Sequence, residues 1–254
     1  TDNASNTSST LSVNSFTIDT TAPTLSQVTV VTDPTNDNTP SYTFRSNEAG
    51  TITYAGGCTS DNNTAVNGNN EIIFNALSDN TYNNCRITVT DNVNNASSPL
   101  TVSSFTIDTT APSLSEVTAV PTETNDPTPD YTFNSSEAGT NSYGGSCGSS
   151  TSATSSGDNT IALTQPDNST ALSDNTSYST CTITVTDLAG NPSTALTVNT
   201  FVVDTTAPTV SSTSPTDNES SVSISKNISV TFDDKMNTAS ITTSTSNTSC
   251  SGSL

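Results

Sequence analysis

The octapeptide FTIDTTAP constrains this chain more than any other feature, because it recurs. It starts at 16 and again at 105, and FVVDTTAP starts at 201, so successive copies lie 89 and 96 residues apart. Other segments return in the same order. NDNTPSYTFRSNEAGT (36–51) matches NDPTPDYTFNSSEAGT (125–140), and ALSDNTYNNCRITVTD (76–91) matches ALSDNTSYSTCTITVTD (171–187). A period of this length is that of a small domain rather than of a solenoid turn. The copies set the boundaries at 19–107 and 108–203. Residues 1–18 align with 90–107 and read as the last strand of a preceding domain. Residues 204–254 read as the N-terminal part of a third, of different sequence from about 209.

Within a copy the apolar residues fall in short alternating runs bounded by Asn, Asp, Gly, Ser and Pro, the pattern of half-buried strands. Strand A is expected around 24–31, B at 41–45, C at 51–57, E near 71–76, F at 85–89 and G from Leu100 to Ile107. No run has helical periodicity. With 29% hydrophobic residues and no Trp, one large core is excluded and several small ones fit. The fold class is therefore all-β: tandem Ig-like or fibronectin III-like antiparallel β-sandwiches forming an elongated rod. Leu77 with Tyr82, and Leu172 with Tyr178, resemble a tyrosine corner.

Five cysteines divide as two, two and one. Cys58 and Cys147 end strand C of each copy, and Cys85 and Cys181 begin strand F. In this topology C and F are antiparallel neighbours, so the expected bridges are Cys58–Cys85 and Cys147–Cys181. Such bridges imply an oxidising compartment. A metal reading of the cysteines lacks support, because the chain has no His and no CxxC. Cys250 has no partner in the chain. The seven extra residues of the second copy lie between its cysteines and are expected in loops.

Lys and Arg total 4 against 24 Asp and Glu, a net charge of −20. Nucleic acid and anionic membrane surfaces are poor partners for such a chain, and no apolar run approaches a spanning helix. The sandwich topology gathers acids from distant loops at the domain junctions. At the central junction the lower pole of one domain supplies Asp33, Asp37 and Asp79, the linker Asp108, and the upper pole of the next domain Glu137 and Asp187. Upstream the equivalent linker and upper-pole acids are Asp19, Glu48 and Asp91. Downstream the lower-pole and linker acids are Asp126, Asp174 and Asp204. A hard cation that takes 6–8 oxygens, calcium in particular, is the expected occupant, and it would lock the angle between domains. The competing reading is that Asp and Asn are simply good turn formers.

The motifs DTTAP, NDxTPxYTFxSxEAGT and CxITVTDxxxN resemble the bacterial Ig-like repeats of large surface adhesins over about 16–208. The segment SPTDNESSVSISKNISVTFDDKMNTASIT resembles the opening of surface-layer-type bacterial Ig-like modules. The resemblance implies an extracellular, cell-surface stalk that projects a binding tip, with calcium between domains and neighbouring Ig-like domains as its partners. A cysteine pair in each copy departs from many members of that family. An alternative is a subunit of a homopolymeric filament, with residues 1–18 donated as a strand to another chain. No nucleophile elbow or HExxH motif is present, and adjacent acids such as Asp233 and Asp234 are commoner at strand ends than in glycosidase sites, so no enzyme is expected. Sequons at Asn62, Asn134 and Asn218 are what chance gives in a chain this rich in Asn, Ser and Thr.

Overall fold

Alternating apolar residues become sheet in a computed structural model, which describes residues 1–241. The first unit holds nine strands: β1 (Leu25–Thr29), β2 (Ser41–Ser46), β3 (Gly50–Ala55), β4 (Thr64–Ala65), β5 (Gly68–Ile73), β6 (Asn80–Tyr82), β7 (Arg86–Thr90), β8 (Leu100–Thr101) and β9 (Phe105–Ile107). One sheet has the order β1-β2-β5 and the facing one β4-β3-β7-β8. β9 pairs with β6, and Thr35 bridges Ile107 in parallel. Inward residues of both sheets make one core, including Tyr42, Phe44, Ile52, Ile72, Phe74, Ile87, Val89 and Phe105. The rings of Tyr42, Phe74, Phe105 and Tyr82 stack in series at centroid distances of 5.5 to 6.1 Å.

The second unit repeats this plan with β10 (Leu114–Thr118), β11 (Glu123–Thr124), β12 (Asp130–Ser135), β13 (Gly139–Gly144), β14 (Ala153–Thr154), β15 (Gly157–Ala162), β16 (Thr176–Tyr178), β17 (Thr182–Asp187), β18 (Leu196–Thr197) and β19 (Phe201–Val203). Its sheets run β10-β12-β15, β14-β13-β17-β18 and β11-β19-β16, the last through a parallel β11–β19 pair. Its core is a separate cluster around Tyr131, Phe133, Ile161, Ile183, Val185 and Phe201. Both disulfides are formed and buried: Cys58–Cys85 joins the loop after β3 to the start of β7, and Cys147–Cys181 does the same after β13. Six of the seven extra residues of this unit fold as loop 165–170, whose Asn168 side chain accepts from the Ser149 amide at 3.2 Å, and the seventh lies in the turn before β16.

One expectation changes in detail. The strand placed near 71–76 starts earlier, at Gly68. The Asn70 carboxamide closes the tight turn by bonding both the Val66 amide and carbonyl, so pairing with β2 starts right after the turn. Both tyrosines bond back to the backbone upstream as a corner requires, Tyr178 accepting from the Ser173 amide at 2.7 Å and Tyr82 donating to the Ser78 carbonyl at 3.0 Å. Residues 1–18 pair with no sheet among the described residues. Leu11, Val13, Phe16 and Ile18, whose counterparts Leu100, Val102, Phe105 and Ile107 pack on the first core, are exposed because no described sheet offers them an edge.

Beyond 204, β20 (Val210–Ser214) pairs with β21 (Ser229–Phe232). A register shift between Val210 and Ser212 reproduces the one between Gln27 and Thr29 in β1–β2 and between Glu116 and Thr118 in β10–β12. The first strand and its bulge are thus common to all three units. Cys250 lies outside the described residues.

Candidate metal centres at the domain junctions

Each complete unit begins with Asp-Thr-Thr-Ala-Pro. The aspartate side chain folds back on its own linker: Asp19 accepts from the Thr21 amide at 3.0 Å, Asp108 from Thr110 at 3.1 Å and Asp204 from Thr206 at 3.1 Å. This turn fixes where the carboxylate sits relative to the strand that follows. The turn β2–β3 brings Glu48 beside it, and β12–β13 brings Glu137. Ser46 and Ser135 hold these turns by donating to the Glu48 and Glu137 carbonyls at 2.6 Å. Gly50 and Gly139 follow, and there a side chain is impossible. A Cβ would lie 2.3 Å from the carbonyl oxygen of Thr90 or Thr186 in the neighbouring strand. That close approach sets the glutamate turn directly against the end of β7 or β17, where the third acid stands.

The third acid is the most ordered. Asp91 accepts from the amides of Val93 and Asn95 and from the Asn95 carboxamide at 2.8 to 2.9 Å. Asp187 accepts in the same way from Gly190, Asn191 and the Asn191 carboxamide at 2.7 to 2.8 Å. Burial raises the Asp91 carboxyl, but those bonds outweigh it and leave its pKa below the ordinary aspartate value. The same carboxamides reach the linker, Asn95 donating to the Asp19 carbonyl at 3.2 Å and Asn191 to the Asp108 carbonyl at 2.8 Å. Asn95 and Asn191 therefore tie the acid loop to the linker. Their signal in the sequence was the Asn four residues after the Asp in both copies.

The result is two equivalent triads, Asp19–Glu48–Asp91 and Asp108–Glu137–Asp187, each with carboxylate oxygens within 4.8 Å of one another. The second is more enclosed, and Asn36 of the first unit adds a bond to the Gly190 carbonyl at 3.2 Å. Burial and then the charges of Asp108 and Asp187 push the Glu137 carboxyl above its ordinary value. The two ion pairs among the described residues, Lys226–Glu219 and Lys235–Glu123, lie elsewhere. Oxygens with that spread suit one ion with bonds of about 2.3–2.6 Å, and an all-oxygen anionic donor set is what a hard divalent cation takes.

The remaining acids of the sequence-derived ligand list join neither triad and use their carboxylates elsewhere. Asp33 accepts from the Thr106 amide at 2.9 Å. Asp37 and Asp126 cap the Thr39 and Thr128 amides at 2.9 and 2.8 Å. Asp79 binds the amide of Thr109 and the hydroxyls of Thr109 and Thr110 at 2.7 to 3.0 Å, and Asp174 binds Thr205 and Thr206 at 2.6 Å. Asp204 makes the linker turn but has no triad among the described residues. For Asp37, Asp126 and Asp204 the turn-forming role accounts for the carboxylate, whereas Asp33, Asp79 and Asp174 bond the last strand or the linker that follows it. Asp233, one of the adjacent pair near β21, likewise holds the Thr209 amide at 2.7 Å.

No curated protein matches the chain. Two solved structures are similar at 14% identity. The D0-D1 domain of intimin aligns over 68% of this chain and 95% of its own, with a TM-score of 0.23. A Bacteroides ovatus mixed-linkage glucan utilization locus protein, SGBP-B, in complex with a mixed-linkage heptasaccharide, aligns over 71% of this chain and 45% of its own, with a TM-score of 0.20. At these TM-scores neither likeness bears on function. In sequence, residues 204–253 match the family described as bacterial Ig-like domain.

Proposed function

We propose that the chain is a non-catalytic spacer of an extracellular bacterial surface protein, a row of Ig-like units whose junctions are stiffened by calcium. The observation that carries this reading is the repetition of one acid triad, built from linker, β2–β3 turn and β7-end loop, at Asp19–Glu48–Asp91 and Asp108–Glu137–Asp187. Disulfides in both complete units support an oxidising, extracellular setting. A cation at each triad would bind linker and domain together and cancel local repulsion, turning a hinged string into a rod.

Calorimetric unfolding and small-angle scattering of the disulfide-intact chain, in calcium and in chelator, test this. Calcium is expected to raise the unfolding transition and to lengthen the scattering profile. An unchanged transition with an equally extended shape in chelator would remove the metal and leave a disulfide-bridged spacer. Display is tested separately, by protease shaving of intact cells: release of fragments from this chain is expected, and its full protection would overturn the surface assignment.

A further inference from the structure

We propose that each complete unit is also a tension-bearing element, with a clamp between the entering segment just after its first strand and its last strand that resists pulling along the chain. The inference rests on the spacer reading above, since only a projecting stalk is loaded end to end. In the first unit Thr35 and Ile107 pair in parallel. The Thr35 amide donates to the Thr106 carbonyl and the Asp108 amide to the Thr35 carbonyl, both at 3.0 Å. The Asp33 carboxylate adds a third bond, accepting from the Thr106 amide at 2.9 Å. In the second unit β11 and β19 make the same parallel pair, with the Val202 and Asp204 amides donating to the Thr122 and Thr124 carbonyls at 2.9 Å.

Parallel pairing between the entering and leaving strands decides how force acts. Tension draws the entering segment by its N-terminal end and the last strand by its C-terminal end, so the two are sheared past each other. Cross-strand bonds loaded in shear share the load and must fail together, whereas bonds loaded at one end of a hairpin open singly. The β1–β2 ladder, pulled along its own axis, is loaded in the same sense. The linker is latched as well: Asp79 holds Thr109 and Thr110, and Asp174 holds Thr205 and Thr206, just where the chain leaves each unit.

The disulfides set what happens once a clamp fails. They close segments with sequence separations of 27 and 34 residues, which tension cannot extend. The difference between these segments is the same seven residues by which the repeat spacings, 89 and 96, differ. Both units therefore release the same length of chain, roughly 60 residues or about 20 nm, and the insertion of the second unit is hidden behind its bridge.

The test is single-molecule unfolding of the whole chain, held by its two ends at constant force with bridges intact. Two steps of equal length are expected. Asp33→Ala should quicken one of them by about tenfold or more, as loss of a charge-assisted bond from a shared-load clamp requires, and leave the other unchanged. Asp33→Asn, which keeps an acceptor in place, should restore the slow step. Ile72→Val, a core truncation in β5 of the same unit, should leave the rate under force within about twofold. A reductant should lengthen the Asp33-sensitive step by about 9 nm and the other by about 12 nm. The clamp is overturned if Asp33→Ala leaves both steps unchanged, or if Ile72→Val quickens the step as much. Equal lengthening of both steps by reductant would overturn the role of the bridges. None of these outcomes touches the calcium or shaving experiments, because the clamp contains no triad carboxylate.

Discussion

Glu137 is the residue where the electrostatics of a junction can be read most directly. Burial and two neighbouring carboxylates raise its folded-state value above that of the unfolded chain, so the folded state holds its proton more tightly. Stability from this group therefore falls as pH rises through the glutamate range. In chelator at neutral pH, Glu137→Gln is expected to raise the transition of the second unit by about 2–4 °C, a small effect because the half-buried group is still screened by solvent. In calcium the same substitution should lower it, and calorimetry in the two buffers reads that reversal of sign. Asp174 behaves oppositely. The Thr205 amide and the Thr206 hydroxyl hold it down at about 2, against an ordinary value of 3.8. Its contribution is complete above the ordinary value and is lost as pH falls toward the folded one. Asp174→Asn should flatten the acid limb of the stability curve in that window, measured as the denaturant midpoint against pH. The recurrence of the triad acids was legible in the sequence. The different use of Asp33, Asp37, Asp79, Asp126 and Asp174 was not, because a carboxylate becomes a cap when an amide lies within reach, and the sequence does not contain that distance.

At the scale of the element, alternation identified the long strands of the repeated units, since Tyr42 with Phe44 and Ile87 with Val89 can share a buried face only at period two. The strand expected from Leu100 to Ile107 divides into β8 and β9, and the two-residue strands β4, β11 and β14 and the parallel bridge at Thr35 escaped notice. They have no propensity of their own and exist because a neighbour offers a free edge. The disulfides illustrate the reverse case, in which order of strands was enough to match cysteines. Replacing Cys58 and Cys85 together by Ala is expected to lower the stability of the first unit by about 3–4 kcal/mol through the freed chain entropy. The second unit should keep its own denaturation midpoint, because the two cores are separate clusters. A common loss in both midpoints would show that the units unfold as one.

The whole molecule carries −20 with only 4 basic residues, so its units repel one another wherever cations do not intervene. In chelator, raising monovalent salt from about 0.01 to 0.15 M shortens the screening length from about 30 to 8 Å. That should raise the unfolding transition by a few degrees. In calcium the same salt should lower it, since screening then weakens the bound ion more than the residual repulsion, and paired thermal scans read both slopes. The period, the all-β class, the partners of four cysteines and the set of recurring acids are all readable along the chain, because each is a matter of pattern and spacing. Which acids meet, the tie that Asn95 and Asn191 make between loop and linker, and the parallel pairing of entering and leaving segments emerge only on folding. Those depend on distances across the fold between residues tens of positions apart, which packing fixes and sequence order does not.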